Sequence, residues 1–131
     1  MVTATTPRRI RRLEPTTWAA LLYGAAVGFL LWALSPTLLG VAEPWDTEHR
    51  VYTLAMVGAG LALGLLNPRA PAAAYLGAWL GQVLALIVLP SFDNDWLLLG
   101  AISTAVGSLW FLLGVAVGIG VRSLLRRRRV A

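Results

Sequence analysis

The stretch "GVAEPWDTEHRVY", residues 40–52, places three of the chain's six carboxylates, Glu43, Asp46 and Glu48, and its one histidine, His49, within seven residues. Carboxylate oxygens and an imidazole nitrogen are the donors that a divalent cation takes. A ligand set drawn from one flexible turn, however, lacks a second shell to orient it. The same residues have simpler work available. Asp46 or Thr47 can cap a helix starting near residue 50, where acidic groups favour the amino end, and Pro44 and Trp45 can set a turn at an interface. The stretch therefore reads as a polar turn that offers Glu43, Trp45, Asp46, Glu48 and His49 to a partner or a loosely held cation, with no metal site assigned. A second turn, "SFDNDW" (residues 91–96), repeats the pattern with Asp93 and Asp95, and the two could form one negative patch.

The elements that must position these turns follow from composition. Of 131 residues, 58% are hydrophobic and the mean hydropathy is +0.73, more apolar surface than a soluble domain of this size can bury. The chain belongs in a bilayer. There is no cysteine, which removes disulfides, thiolate chemistry and cysteine-ligated metals. All eleven basic residues are arginine, and the net charge is +5. They sit in short flanks beside apolar runs, as topology signals do, and this arrangement argues against nucleic acid as a partner.

A window of about 20 residues, the length needed to cross the hydrocarbon, predicts four spans at approximately 17–41, 50–66, 72–89 and 96–121. A basic segment, 1–16, precedes them and an Arg-rich tail, 122–131, follows. "NPRAP" makes a tight turn between the second and third spans. The first apolar run, at about 25 residues, exceeds the roughly 7–15 of a secretory signal core and reads as a span. Arg8, Arg9, Arg11, Arg12, Arg69, Arg122 and Arg126 to Arg129 fall at one set of span ends, while five of the six carboxylates fall at the other. Positive charge marks the cytoplasmic side. The expected fold is thus an all-α integral membrane four-helix bundle with both termini cytoplasmic and short acidic outer loops, in a cell membrane and specifically a bacterial inner membrane. Trp18, Trp45, Trp96 and Tyr52 lie near predicted span boundaries, where amphipathic rings favour the headgroup layer.

Between the span ends there is no Asp, Glu, Lys, Arg or His. Ionisable groups at that depth usually mark proton relays and ion-coupled transport, so proton-coupled antiport is disfavoured. The polar groups left at depth are Gln82 and, on the fourth span, Ser103, Thr104 and Ser108. A glutamine there suits an interhelical hydrogen bond better than a pore lining. One histidine excludes most nucleophile and base arrangements. "GAGLALG" lies within an apolar helix, where glycines serve packing and cradle no phosphate. No catalytic residue and no cofactor is expected, and the chain does not read as an enzyme.

Helices in lipid associate through small residues that let backbones approach closely. Gly24 and Gly28 supply such a face on the first span, Gly60 and Gly64 on the second, and Gly77 and Gly81 on the third. On the fourth span Gly100, Thr104, Gly107, Gly114 and Gly118 follow a heptad-like spacing. "YGAAVGFLLWALSP" (23–36) and "YLGAWLGQVLALIVLP" (75–90) share Gly-Ala-x-x-Gly and a proline near the outer end. This hints at a duplicated hairpin with both copies facing the same way, although a Gly/Ala-rich chain produces such matches by chance. These faces look more numerous than one bundle needs, which points to contacts with other chains. The expected partners are the lipid bilayer, anionic lipid at the Arg-rich ends, and copies of the chain or another membrane protein. The function expected is a non-catalytic interaction or assembly subunit. The alternative is a small oligomeric channel or transporter with Gln82 and the fourth-span hydroxyls along its path.

Overall fold

The computed structural model describes residues 14–44, 50–89 and 94–128. They form four helices: α1 (Pro15–Leu38), α2 (Arg50–Leu66), α3 (Pro71–Val88) and α4 (Leu97–Arg128), with a 3-10 turn, Asn94–Trp96, leading into α4. Proline stands at the start of both α1 and α3, where a missing N–H costs nothing because the first helical amides have no intrahelical acceptor. Pro36 lies in the last turn of α1, and the chain leaves the helix soon after it. Gly40 follows with φ 71, a left-handed conformation that suits a residue without Cβ. Ser35 Oγ donates to the Val41 carbonyl at 2.9 Å and folds this exit back onto α1.

Three of the helices, α1, α3 and α4, are long and apolar enough to cross a membrane, which suggests a multi-pass membrane protein of the all-α class. The 17 residues of α2 stand at the lower edge of the range of about 17–25 that a span requires. The side chains are distributed differently from those of a water-soluble bundle. Gly, Ala, Ser and Thr line the interior together with a few large residues, among them Trp32, Met56, Leu86 and Phe111, whereas Leu22, Leu54, Leu84, Ile102, Val106 and Leu113 are among the many large apolar side chains that point outward. In lipid this arrangement carries no hydrophobic penalty, and the close backbone contact it permits is what holds the helices.

The pairing is between alternate helices. α1 packs chiefly on α3 and α2 on α4; α3 and α4 meet less extensively, and α1 touches α2 only narrowly. Both principal pairs are parallel and both are built reciprocally. A Cβ placed on Gly24 would overlap the Ala74 carbonyl, and one on Gly77 the Leu21 carbonyl; Gly28 stands in the same way to Ala78, and Gly81 to Ala25. Exchanging α1 with α3 by a shift of 53 residues, Gly24 to Gly77 and Gly28 to Gly81, maps each of these contacts onto another. In the second pair Gly60 faces the Phe111 carbonyl and Gly64 that of Val115, while Gly114 faces Val57 and Gly118 faces Leu61. Here a shift of 54, Gly60 to Gly114 and Gly64 to Gly118, does the same. Eight glycines thus make each pair locally two-fold, α1 with α3 and α2 with α4, while the α3–α4 contact is far more extensive than the α1–α2 contact.

As helices, α2 covers the same residues as the second expected span, and α1 and α3 begin and end within three residues of the first and third. The difference is at α4, which continues from the expected end near residue 121 to Arg128. Hydropathy falls where the arginines begin, but Arg and Leu are good helix formers and Arg side chains favour the carboxyl-terminal turn, so the helix outlasts the apolar run.

Candidate functional site

Two of the polar residues expected at depth, Gln82 and Ser108, meet at a point to which each of the four helices contributes a side chain. Gln82 of α3 is wholly buried. Its Oε1 accepts from the Tyr52 hydroxyl of α2 at 2.6 Å and from Trp32 Nε1 of α1 at 3.4 Å. Its Nε2 donates to Ser108 Oγ of α4 at 2.8 Å and to the Ala78 carbonyl one turn back at 3.3 Å. A carboxamide offers two acceptor sites and two donors, and here all four are used. The network then runs down α4: the Ser108 hydroxyl donates to the Thr104 carbonyl at 2.8 Å and the Thr104 hydroxyl to the Ala101 carbonyl at 3.0 Å. Both hydroxyl residues have no exposed surface. Among the described residues no buried side-chain nitrogen or oxygen lacks a partner.

Two residues behave differently from their sequence-based expectation. Tyr52, near the start of α2, is buried at 7% exposure and its hydroxyl points into the bundle. The reason lies on the facing helix, where Gly107 makes room: a Cβ at that position would overlap the Tyr52 hydroxyl. Ser103, grouped by type with Thr104 and Ser108, lies on the outward face of α4 and takes no part in the cluster. Trp18 and Trp96 remain exposed near helix ends.

Nine of the ten glycines expected to pack helices meet another helix of this chain, and the tenth is buried. Eight form the reciprocal pairs, Gly107 admits Tyr52, and Gly100 is buried. The surplus of small-residue faces expected from the sequence is therefore absorbed by the α1–α3 and α2–α4 pairs, because a parallel pair needs glycines on both helices where a single knob-and-hole seam would need them on one.

Several ties were not anticipated. Tyr23 donates to the Ala59 carbonyl at 3.2 Å, linking α1 to α2. Tyr75 and Trp79 donate to the Ala105 and Ala101 carbonyls at 3.1 and 2.9 Å, linking α3 to α4. A buried phenol or indole donor needs an acceptor, and the position of these rings well inside their spans was the available signal. Arg122 is also more than a topology charge. Its Nη1 donates to the Leu65 and Leu66 carbonyls at 2.7 and 2.9 Å, capping the last turn of α2, where helix carbonyls have no intrahelical partner. At the same end Asn67 Nδ2 donates to the Thr16 carbonyl at 2.9 Å.

Of the acidic outer turns, Glu43 and Asp95 are described; Asp95 is exposed in the 3-10 turn and Glu43 is half-buried. Trp45, Asp46, Glu48, His49 and Asp93 lie outside the described residues, as does the proposed cap by Asp46 or Thr47. Among the described residues no three His, Cys, Asp or Glu side chains are gathered closely enough to hold a metal ion.

The chemical content of this arrangement is cohesive. Interhelical hydrogen bonds in membranes average about 0.6 kcal/mol each, so the Gln82 cluster adds only a few kcal/mol in total. Its larger effect is selective: a register that turned Gln82 to lipid would strand a carboxamide in hydrocarbon, at a cost of several kcal/mol. Grooves do occur on the outside, one of them bounded by Val27, Leu31 and Leu34 of α1 and Val51 and Ala55 of α2. It is lined almost wholly by apolar side chains and presents no convergent polar groups of the kind that orient a small ligand. Compared with protein-family models, with curated proteins and with solved structures, the chain matches none.

Proposed function

We propose that this chain is a small polytopic membrane protein acting as a non-catalytic interaction or assembly subunit, either with copies of itself or within a larger membrane complex. In this reading α2 crosses the bilayer with the other three helices, both termini lie in the cytoplasm, and the membrane is a bacterial inner membrane. The arginine flanks support that orientation, since Arg69 and the arginines beyond residue 121 belong to one set of helix ends.

One observation carries the proposal. The interior is closed by glycine contacts and its central glutamine has every hydrogen bond filled. A group that is to bind or pass a solute needs unfilled polar capacity, whereas Gln82 is wholly buried with both donors and both acceptor sites engaged by the protein itself. What the molecule offers to a neighbour is its apolar perimeter and its charged ends, the equipment of a protein that is held by other proteins.

The experiment is to extract the full-length tagged chain from its native membrane in a mild non-ionic detergent and measure the mass of the particle after subtracting bound detergent. The reading requires a mass above that of one chain, with the added mass assigned to copies of the chain or to defined membrane proteins that crosslink to it in intact membranes. A particle of one chain only, with no crosslinked neighbour before extraction, sinks it. Ion or solute flux through liposomes containing the chain alone would replace it with the channel alternative.

A further inference from the structure

We infer that the part of α4 that projects beyond the bundle is a docking site for an anionic phospholipid, with an acyl chain lying along Val121, Leu124 and Leu125 and the phosphate held at Arg128. This goes beyond the assembly reading and does not depend on it.

α4 makes its last glycine contact with α2 at Gly118 and its last polar tie to it at Arg122, whose guanidinium is engaged by the Leu65 and Leu66 carbonyls. Residues 123–128 continue as helix, a further rise of about 9 Å at 1.5 Å per residue. Each headgroup layer is roughly 5–8 Å deep, half the difference between a hydrocarbon core of about 30 Å and a bilayer of about 40–45 Å. If α2 ends at the edge of the hydrocarbon, as the proposed orientation has it, a projection of that length matches one headgroup layer.

Its surface is suited to a lipid that is apolar at one end and negative at the other. Val121, Leu124, Leu125 and Arg128 fall at i, i+3, i+4 and i+7, one face of a helix, and together they line a shallow groove. Leu124 and Leu125 are 61% and 55% exposed, and no other helix covers them. With the phosphate at Arg128, an acyl chain running back toward the hydrocarbon passes Leu125, Leu124 and Val121 and covers them. Arg126, Arg127 and Arg128 occupy the last turn, with Arg128 at the rim of the groove. Guanidinium groups pair bidentately with phosphate oxygens, and three of them within one turn repel each other unless an anion lies nearby. Charge complementarity therefore selects an anionic lipid as the occupant over a second copy of this basic chain.

The test uses the purified full-length chain in detergent. Dioleoylphosphatidylglycerol and dioleoylphosphatidylcholine are titrated separately and the lipid retained is read by native mass spectrometry. Wild-type protein should retain phosphatidylglycerol several-fold better than phosphatidylcholine. Arg128→Gln should reduce that preference, and the combined Arg126→Gln, Arg127→Gln and Arg128→Gln variant should abolish it. Leu124→Gln, with all charges intact, should lower retention of phosphatidylglycerol, and inorganic phosphate should not displace the lipid. Equal retention of the two lipids by wild type overturns the inference. So does an undiminished preference in the triple variant, which would move the lipid to another basic segment. Displacement by inorganic phosphate, or a lipid-free dimer, overturns it as well.

Discussion

The Tyr52 hydroxyl stands 2.6 Å from Gln82 Oε1, and the absence of a side chain at residue 107 is what allows it to do so, since a Cβ there would overlap that hydroxyl. A small residue on α4, an aromatic on α2 and an amide on α3 are thus one unit. Gly107→Ala should push the phenol off the amide and lower stability by about 1–3 kcal/mol, the range for overpacking a filled interior. Adding Tyr52→Phe removes the atom that overlaps most, so the double variant should lose less than the sum of the singles. Unfolding in detergent, followed by far-ultraviolet circular dichroism, reads both.

Gln82→Leu should destabilise by roughly 1–3 kcal/mol, because it takes the acceptor from a buried Tyr52 hydroxyl. The combination Gln82→Leu with Tyr52→Phe should recover part of that loss, since removing both partners leaves no stranded donor. A double variant as unstable as the sum of its parts would mean that the two side chains act separately. The same unfolding assay supplies the coupling energy.

The chain contains its own controls for the glycine contacts. Gly58 and Gly120 have open space where a Cβ would be placed, so Gly58→Ala and Gly120→Ala should be neutral or should stabilise by up to about 1 kcal/mol through helix propensity. Gly28→Ala and Gly114→Ala drive a methyl into the Ala78 and Val57 carbonyls of the facing helix and should each cost about 1–3 kcal/mol. Equal effects at the two kinds of site would show that the parallel pairs are not held by close approach.

How far the amino-acid order discloses this architecture differs from feature to feature. Helix positions were legible because apolar length is a direct demand of the bilayer. That Gly24, Gly60, Gly77 and Gly114 mark contact faces was legible too, from their spacing. Which helix each face meets was not: periodicity along α1 says that some backbone comes close, and α3 is selected only by the reciprocal fit of Gly77 and Gly81. The shared Gly-Ala-x-x-Gly pattern gave a faint sign of the approximate two-fold. The match is clear only in the contacts, because Phe29 stands where the repeat places Gln82 and the side chains around the glycines have diverged. Gln82 was legible as a hydrogen-bonding residue. Tyr52 as its partner was not, since proximity to a span end suggested an interfacial ring and the space for its inward turn is made by a residue 55 positions later.

Arg122 should be the arginine whose loss is felt by α2. Arg122→Gln removes the guanidinium from the Leu65 and Leu66 carbonyls and should cost about 0.5–2 kcal/mol, the scale of a cation at a helix carboxyl terminus. Amide hydrogen exchange should rise in the last turn of α2 and stay unchanged in the middle of α3. A uniform rise across the bundle, or none in α2, would contradict a local capping role.

Because the chain has no native cysteine, the closure of its interior can be read with one introduced thiol. Ser108→Cys is nearly isosteric and lies beside Gln82 with no exposed surface; Arg69→Cys, in the exposed turn before α3, serves as the positive control. In liposomes treated with a membrane-impermeant thiol reagent from each side in turn, position 69 should be labelled from one side and position 108 from neither. Labelling at 108 would reveal water at the core and contradict the central claim that the polar centre of this bundle holds helices together and conducts nothing.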